Sequence, residues 1–297
     1  MRRQFATLDV FTDRRFAGNP LAVVLDSDGL ETQAMQAVAR EFNHPETVFV
    51  FPPEHSAHRA RVRIFTPARE LPFAGHPTVG AAVLLGLRDG AAAGRELVLE
   101  EQVGPVRCTL EAMDGRHGGA RFAVPQIPAE VGPAPDAATI AAALQLAPAD
   151  IGFDQFQPSR WSAGNPCTFV PVAGLAAIAR CGPDPNRFDA AFGQGGMVYV
   201  FCRETREPGH GFHARMFAPG LGIREDPATG SAAAAFTGVL ARDGRLSDGS
   251  HAITIEQGYE MGRPSLIRLA MVTQGGKLVS ASIGGDAVVV TEGTLEA

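Results

Sequence analysis

At 297 residues the chain is long for one ordinary domain and suits two cores of roughly 120–150 residues each. Apolar residues make up 45% and charged residues 20%, a globular balance that argues against disorder, and the net charge of −6 leaves no basic footprint for nucleic acid. No apolar run reaches the ~18 residues a membrane-spanning helix needs, and Met1-Arg2-Arg3-Gln4-Phe5 opens no leader-like apolar stretch. The four cysteines, Cys108, Cys167, Cys181 and Cys202, are scattered without a C-x-x-C, so a reduced cytoplasmic protein is expected rather than a disulfide framework or structural zinc site.

In chain order, Thr7–Phe11 and Leu21–Leu25 read as strands around a turn. Glu31–Phe42 reads as a helix with Met35, Val38, Ala39 and Phe42 on one face. Strands follow at Thr47–Phe51 and Ala60–Phe65, then a helix from Thr78 to Leu87. Leu97–Glu101, Val106–Glu111 and Ala120–Ala123 are further strands. Prolines cluster from Val124-Pro125-Gln126-Ile127-Pro128 to Pro133-Ala134-Pro135, which marks a junction. Beyond it, Ile140–Leu146 looks helical, Met197–Cys202 and Phe212–Phe217 look extended, and Ala228–Arg242 looks helical. His251–Gln257, Ser265–Thr273 and Lys277–Ile283 read as closing strands. The helix around Ser231–Leu240 is small or apolar nearly all round, so it should be enclosed.

An internal repeat organises these elements. Ala17-Gly18-Asn19-Pro20 recurs 146 residues later (17 to 163) as Ala163-Gly164-Asn165-Pro166, and both copies lead into apolar β-type runs. Arg63-Ile64-Phe65-Thr66-Pro67 recurs 152 residues later (63 to 215) as Arg215-Met216-Phe217-Ala218-Pro219. His76-Pro77-Thr78-Val79-Gly80 matches Asp226-Pro227-Ala228-Thr229-Gly230 at 150 (76 to 226), so each half is read as carrying a turn-to-helix element that starts at a proline. The expected fold is α+β: two pseudo-symmetric halves, each a curved, mostly antiparallel sheet wrapped around one central helix. Their bounds are 1–124, joined by a C-terminal strand over 286–297, and 125–285.

Free backbone N–H groups at a helix start attract a carboxylate, so two such starts facing one cleft would hold a small anionic substrate without metal. Each candidate also has a plain reading. Asp226 before Pro227 looks like an ordinary N-cap, Ser231 like a small packing residue, and His76 like a turn histidine. Glu46, opening the apolar strand Thr47–Phe51, is either a solvated strand-edge residue or a buried carboxyl with its pKa raised toward the neutral range that suits carbon acid/base chemistry. His55-x-x-His58 and His210-x-x-His213 have ligand-like spacing but no evident acidic third ligand, so no metal site is expected.

Several stretches together resemble the PhzF-like phenazine-biosynthesis family: Ala17-Gly18-Asn19-Pro20-Leu21-Ala22-Val23, Asn43-His44-Pro45-Glu46-Thr47, Glu70-Leu71-Pro72-Phe73-Ala74-Gly75-His76-Pro77-Thr78, Glu225-Asp226-Pro227-Ala228-Thr229-Gly230-Ser231-Ala232 and Gln257-Gly258-Tyr259-Glu260-Met261-Gly262-Arg263-Pro264-Ser265. The resemblance implies a diaminopimelate-epimerase-like fold, a homodimer and no metal or organic cofactor. It implies that Glu46 is the catalytic acid/base, that His76 and Asp226 join it, and that Ser231 and the backbones of Gly75 and Gly230 bind substrate. The activity it implies is isomerisation of trans-2,3-dihydro-3-hydroxyanthranilate or a similar small, cyclic anion; an epimerase of a small acid and a non-catalytic binding protein stay open beside it. Pro45 departs from the pattern, which often has Ser there. The paired cysteines that related epimerases and proline racemases use as proton carriers are absent from both helix starts.

Overall fold

The computed structural model describes all 297 residues, which divide into two units: residues 1–123 with 284–297, and residues 124–283.

Unit 1 begins with β1 (Arg2–Val10), which pairs antiparallel with β2 (Asn19–Val24) and, on its other side, with residues 287–296 of the chain's last strand. Helix α1 (Thr32–Phe42) then crosses over to β3 (Glu46–Phe51), which lies parallel to β2. The helix ends where Asn43 adopts a left-handed conformation, φ 51°, that few residues other than Asn or Gly tolerate. β4 (Ala60–Phe65) runs antiparallel to β3 and carries the two-residue β5 (Glu70–Leu71) on its edge. A second crossover, α2 (Gly75–Arg88), leads to β6 (Glu96–Glu101), parallel to β4; β7 (Gly104–Asp114) and β8 (His117–Ala123) close the unit as antiparallel neighbours.

Unit 2 repeats this order. β9 (Ala129–Glu130) pairs with β10 (Ser159–Ser162), which pairs antiparallel with β11 (Pro166–Pro171). Helix α3 (Ala137–Ala143) lies between β9 and β10, and α4 (Leu175–Arg180) and α5 (Phe188–Phe192) bridge β11 to the parallel β12 (Val198–Cys202). β13 (Phe212–Ala218) is antiparallel to β12 and bears β14 (Ile223–Asp226). Then α6 (Gly230–Asp243) crosses to β15 (Gly249–Gln257), parallel to β13, followed by β16 (Ser265–Gln274) and β17 (Lys277–Glu296). Each unit is therefore a mostly antiparallel sheet with two parallel steps, both made by helical crossovers.

Composition explains why α2 and α6 sit inside. Residues 75–86 of α2 are all buried, as are all but Ser231 in the stretch 230–240 of α6. An all-apolar helix has no face to offer water, so sheet strands must cover it. α2 packs on β1, β2, β3, β6, β7 and β8; α6 packs on β9, β10, β11 and β16. Small residues set the closeness: a Cβ on Gly80 would meet Leu21 at 2.5 Å and Val10 at 2.8 Å, and one on Gly238 would meet Trp161 at 2.5 Å. Phe236 anchors an aromatic cluster with Phe169, Tyr199, Phe201 and Phe212, ring centroids 4.7–5.8 Å away.

Four sequence expectations need correction. α2 starts at Gly75, three residues before the expected Thr78, and α6 at Gly230, two residues after the expected Ala228. Neither helix starts at its proline: Pro77 is the third residue of α2, and Pro227 lies three residues ahead of α6. The predicted helix Ile140–Leu146 ends at Ala143, where Gln145 turns to φ 58°. The strands expected at 277–283 and 286–297 are one continuous strand that passes from unit 2 into unit 1 at Ile283/Gly284.

Candidate active site

In unit 1 the parallel β2–β3 pair sets Glu46 opposite Leu21, one residue past Asn19-Pro20, which open β2 directly after a sharp turn. The sharp turn needs Gly18 at φ 63°, where a Cβ would lie 2.4 Å from the Val10 carbonyl. Asn19 is completely buried, whereas its repeat counterpart Asn165 is exposed, so only the first copy of this motif builds an enclosed site. The Glu46 side chain is 13% exposed and its Oε2 lies 3.3 Å from Nε2 of His76, which is 5% exposed at the second position of α2. The solvated reading of Glu46 is thus set aside: the carboxyl is buried beside an imidazole. Burial drives the His76 pKa down to about 3, the nearby His44 pushes the same way, and a hydrogen bond to the Pro20 carbonyl opposes both. His76 is therefore neutral at physiological pH. The first intrahelical donor of α2 is Thr78, so the N–H groups of Gly75 and His76 precede the helix ladder, and Pro77 has none.

In unit 2 Asp226 is not an N-cap. It is the last residue of β14, opposite Met216, and the cap position belongs to Thr229. Asp226 and Thr229 are each 7% exposed, and the Thr229 hydroxyl meets Asp226 Oδ2 at 2.5 Å. Gln257, fully buried at the end of β15, braces both: its Nε2 donates to the Asp226 carbonyl at 2.8 Å and to Thr229 Oγ1 at 3.0 Å, and its Oε1 accepts from Thr229 N–H at 3.2 Å. Ser231 is half-buried in the first turn of α6, whose ladder begins with Ala233, so the Gly230 and Ser231 N–H groups precede it. Tyr199, buried two strands from Asp226, has its phenol pKa raised by burial, with the charges of Cys167 and Asp226 acting in the same direction.

The two His-x-x-His pairs prove to be parts of a duplicated clamp. Glu100 accepts from the backbone N–H of Glu54 and His55 and from His58 Nδ1, at 2.7–2.8 Å. Glu256 does the same with the N–H of Arg206 and Glu207 and with His210 Nδ1, at 2.7–2.8 Å. Their register is equivalent, since Arg61 pairs with Glu100 across β4–β6 as His213 pairs with Glu256 across β13–β15. In unit 2 the clamp goes further. His213, fully buried, meets Glu256 at 2.7 Å and Glu260 at 3.1 Å; burial opposes its charge, but the two carboxylates win and its pKa is raised. A cleft of about 610 Å³ in unit 1 is lined by His55, His58, Arg61 and Glu100 and does not include Glu46 or His76.

All four cysteines are buried away from the helix starts, and burial raises every thiol pKa, to about 12 for Cys181 and Cys202. The groups that the sequence reading passed over are Thr229, Gln257, Glu100 and Glu256. Gln257 was visible as the head of a motif, but nothing in a linear sequence ties it to a turn about 30 residues upstream.

Residues 8–293 match the PhzC-PhzF family model, described as phenazine biosynthesis-like protein. The chain is 50% identical to an uncharacterized isomerase of Mesorhizobium japonicum, over 99% of this chain and 98% of that one. It is 33% identical to the trans-2,3-dihydro-3-hydroxyanthranilate isomerase of Pseudomonas chlororaphis, over 98% of each. The crystal structure of a PhzF-family phenazine biosynthesis protein from Bacillus anthracis superposes with a TM-score of 0.90 at 25% identity, covering 100% of both chains.

Proposed function

The chain belongs to the PhzC-PhzF family of phenazine biosynthesis-like isomerases, and from that membership we propose that it moves a proton between carbons of a small, cyclic, anionic substrate with Glu46 as the acid/base. The observation that carries this reading is the buried Glu46–His76 pair at 3.3 Å. A neutral His76 adds no positive charge to hold Glu46 ionised. With its one N–H turned to the Pro20 carbonyl, the ring presents a lone pair to the carboxylic acid that forms when Glu46 takes a carbon proton. Glu46 then delivers a proton, exchangeable with solvent while it sits on the carboxyl, to a second carbon, and the substrate leaves as its isomer with no net change in protons.

The proposal also assigns Asp226 a catalytic part, and Ser231 and the Gly230 backbone a part in substrate binding. The backbones of Gly75 and Gly230 offer N–H groups to substrate oxygens. The proposal extends to a cytoplasmic homodimer; no helix is long and apolar enough to cross a membrane. The 33% relative supplies the substrate to try first, trans-2,3-dihydro-3-hydroxyanthranilate. Incubating purified protein with that compound and following its ultraviolet spectrum tests the choice. Conversion at enzyme-like turnover supports it. An unchanged spectrum at high enzyme concentration removes this substrate and directs the search to other small cyclic acids.

A further inference from the structure

We propose that Gln257 is a positioning residue for Asp226, acting through Thr229 to aim a hydroxyl proton at the Asp226 carboxylate; the inference rests on the reading of Asp226 as an active-site group. Thr229 N–H can only donate and the Asp226 carbonyl can only accept, so these two backbone partners fix which end of the Gln257 amide is oxygen and which is nitrogen. The third contact, to Thr229 Oγ1 at 3.0 Å, is therefore a donation from Nε2. With one lone pair of Oγ1 filled from Gln257, the Thr229 hydroxyl proton is turned to Asp226 Oδ2, 2.5 Å away. The Asp226 carboxylate receives a charge-assisted hydrogen bond whose direction Gln257 sets.

Gln257 is itself held on both sides. Before it, Glu256 is clamped by two backbone N–H groups and two histidines. After it, Gly258 turns at φ 78°, so close that a Cβ would lie 2.6 Å from the Pro227 carbonyl. The other unit supplies an internal comparison. Register places Glu101 where unit 2 has Gln257, and Leu71 where unit 2 has Asp226. The amide accompanies the aspartate, and the acid occurs where there is none. A glutamate at 257 carries at most one proton and cannot make both donations, so the direction of the Thr229 hydroxyl would no longer be set.

Selective 13C labelling of aspartate side-chain carboxyls makes this testable without substrate, the Asp226 resonance being assigned by its disappearance in Asp226→Asn. The expected result is a rise of about 1–2 in the Asp226 pKa in Gln257→Glu, the size of one lost hydrogen bond to a charged group. Thr229→Val, which breaks the same relay at a different atom, gives the same direction and carries the test if Gln257→Glu does not fold. Thr229→Ser restores the wild-type titration. Tyr199, the Arg215–Glu225 pair and the Glu256–His210–His213–Glu260 cluster also surround this turn and stay unchanged in every variant. An Asp226 titration identical to wild type in both Gln257→Glu and Thr229→Val overturns the inference. Full isomerase activity in Asp226→Asn overturns instead the reading it rests on, and the two failures are told apart because one is read by titration and the other by turnover.

Discussion

Glu101→Gln converts the buried acid of unit 1 into the residue type that unit 2 carries at the equivalent place, and its effect on stability can be worked from the structure. The Glu101 side chain lies beneath the start of α2, 7% exposed, with Oε1 accepting from the Thr78 hydroxyl at 2.7 Å and Oε2 without a partner. Burial raises its pKa to about 8, against which the Thr78 bond acts only weakly. Folded Glu101 is then protonated at pH 7 while the unfolded chain has it ionised. A carboxyl raised in this way contributes fully below its unfolded pKa of about 4.5, and that contribution drains away as pH rises to about 8. Between pH 5 and pH 7 the loss comes to about 2–3 kcal/mol. The amide of the Glu101→Gln variant has nothing to titrate. Its unfilled donor costs about 1–3 kcal/mol, but equally at every pH. Urea denaturation at pH 5, 6, 7 and 8 should show the mutant gaining on wild type by about 2–3 kcal/mol from pH 5 to pH 7. Stability curves that stay parallel across that range would refute the assignment of Glu101 as a buried neutral acid.

Glu256→Gln should cost about 3–5 kcal/mol, since it strips a partner from the buried His213 imidazolium, and thermal melts should place it well below Glu100→Gln, whose neighbour His58 is partly solvated. The gap should be widest between about pH 4.5 and 6.5. Glu256, held down to about 2, loses its contribution as pH falls below that window, and His213 loses its own as pH rises through its elevated pKa. Gly258→Ala sets a Cβ within 2.6 Å of two backbone carbonyls at φ 78° and should destabilise the protein by about 1–3 kcal/mol, measured by denaturation. The same change should lower turnover as well, because it pushes on the Asp226-Pro227 turn.

The two-unit design was legible because duplicated strand motifs survive at 17/163 and 63/215, and both lie at or beside strands that pack on the core. The third match misled. His76-Pro77 and Asp226-Pro227 look alike, but α2 and α6 begin 155 residues apart (75 to 230), and the register of β5 and β14 aligns Asp226 with Leu71. A three-residue difference in the stretch between Pro67 and Gly75, against that between Pro219 and Gly230, shifts the frame, and Pro and Gly recur often enough to fill it by accident. A better guide to the duplication is a pair of bidentate ion pairs, Arg63–Glu70 and Arg215–Glu225, whose spacings differ by those same three residues. The clamps at Glu100 and Glu256 were invisible because two of the three partners of Glu100 and two of the four of Glu256 are backbone N–H groups, which carry no sequence signature. Glu46, His76 and Asp226 stood out through family resemblance; physical chemistry alone left each with a plain alternative.

The most direct test of the central claim is deuterium uptake at carbon during turnover of trans-2,3-dihydro-3-hydroxyanthranilate in deuterated water, compared between wild type and Glu46→Gln. The account predicts isomerisation with solvent deuterium at the receiving carbon in wild type, and a loss of about 10²–10⁴-fold in both signals in the variant. Uptake and isomerisation at the wild-type rate in Glu46→Gln would contradict it, because some other group would then carry the proton.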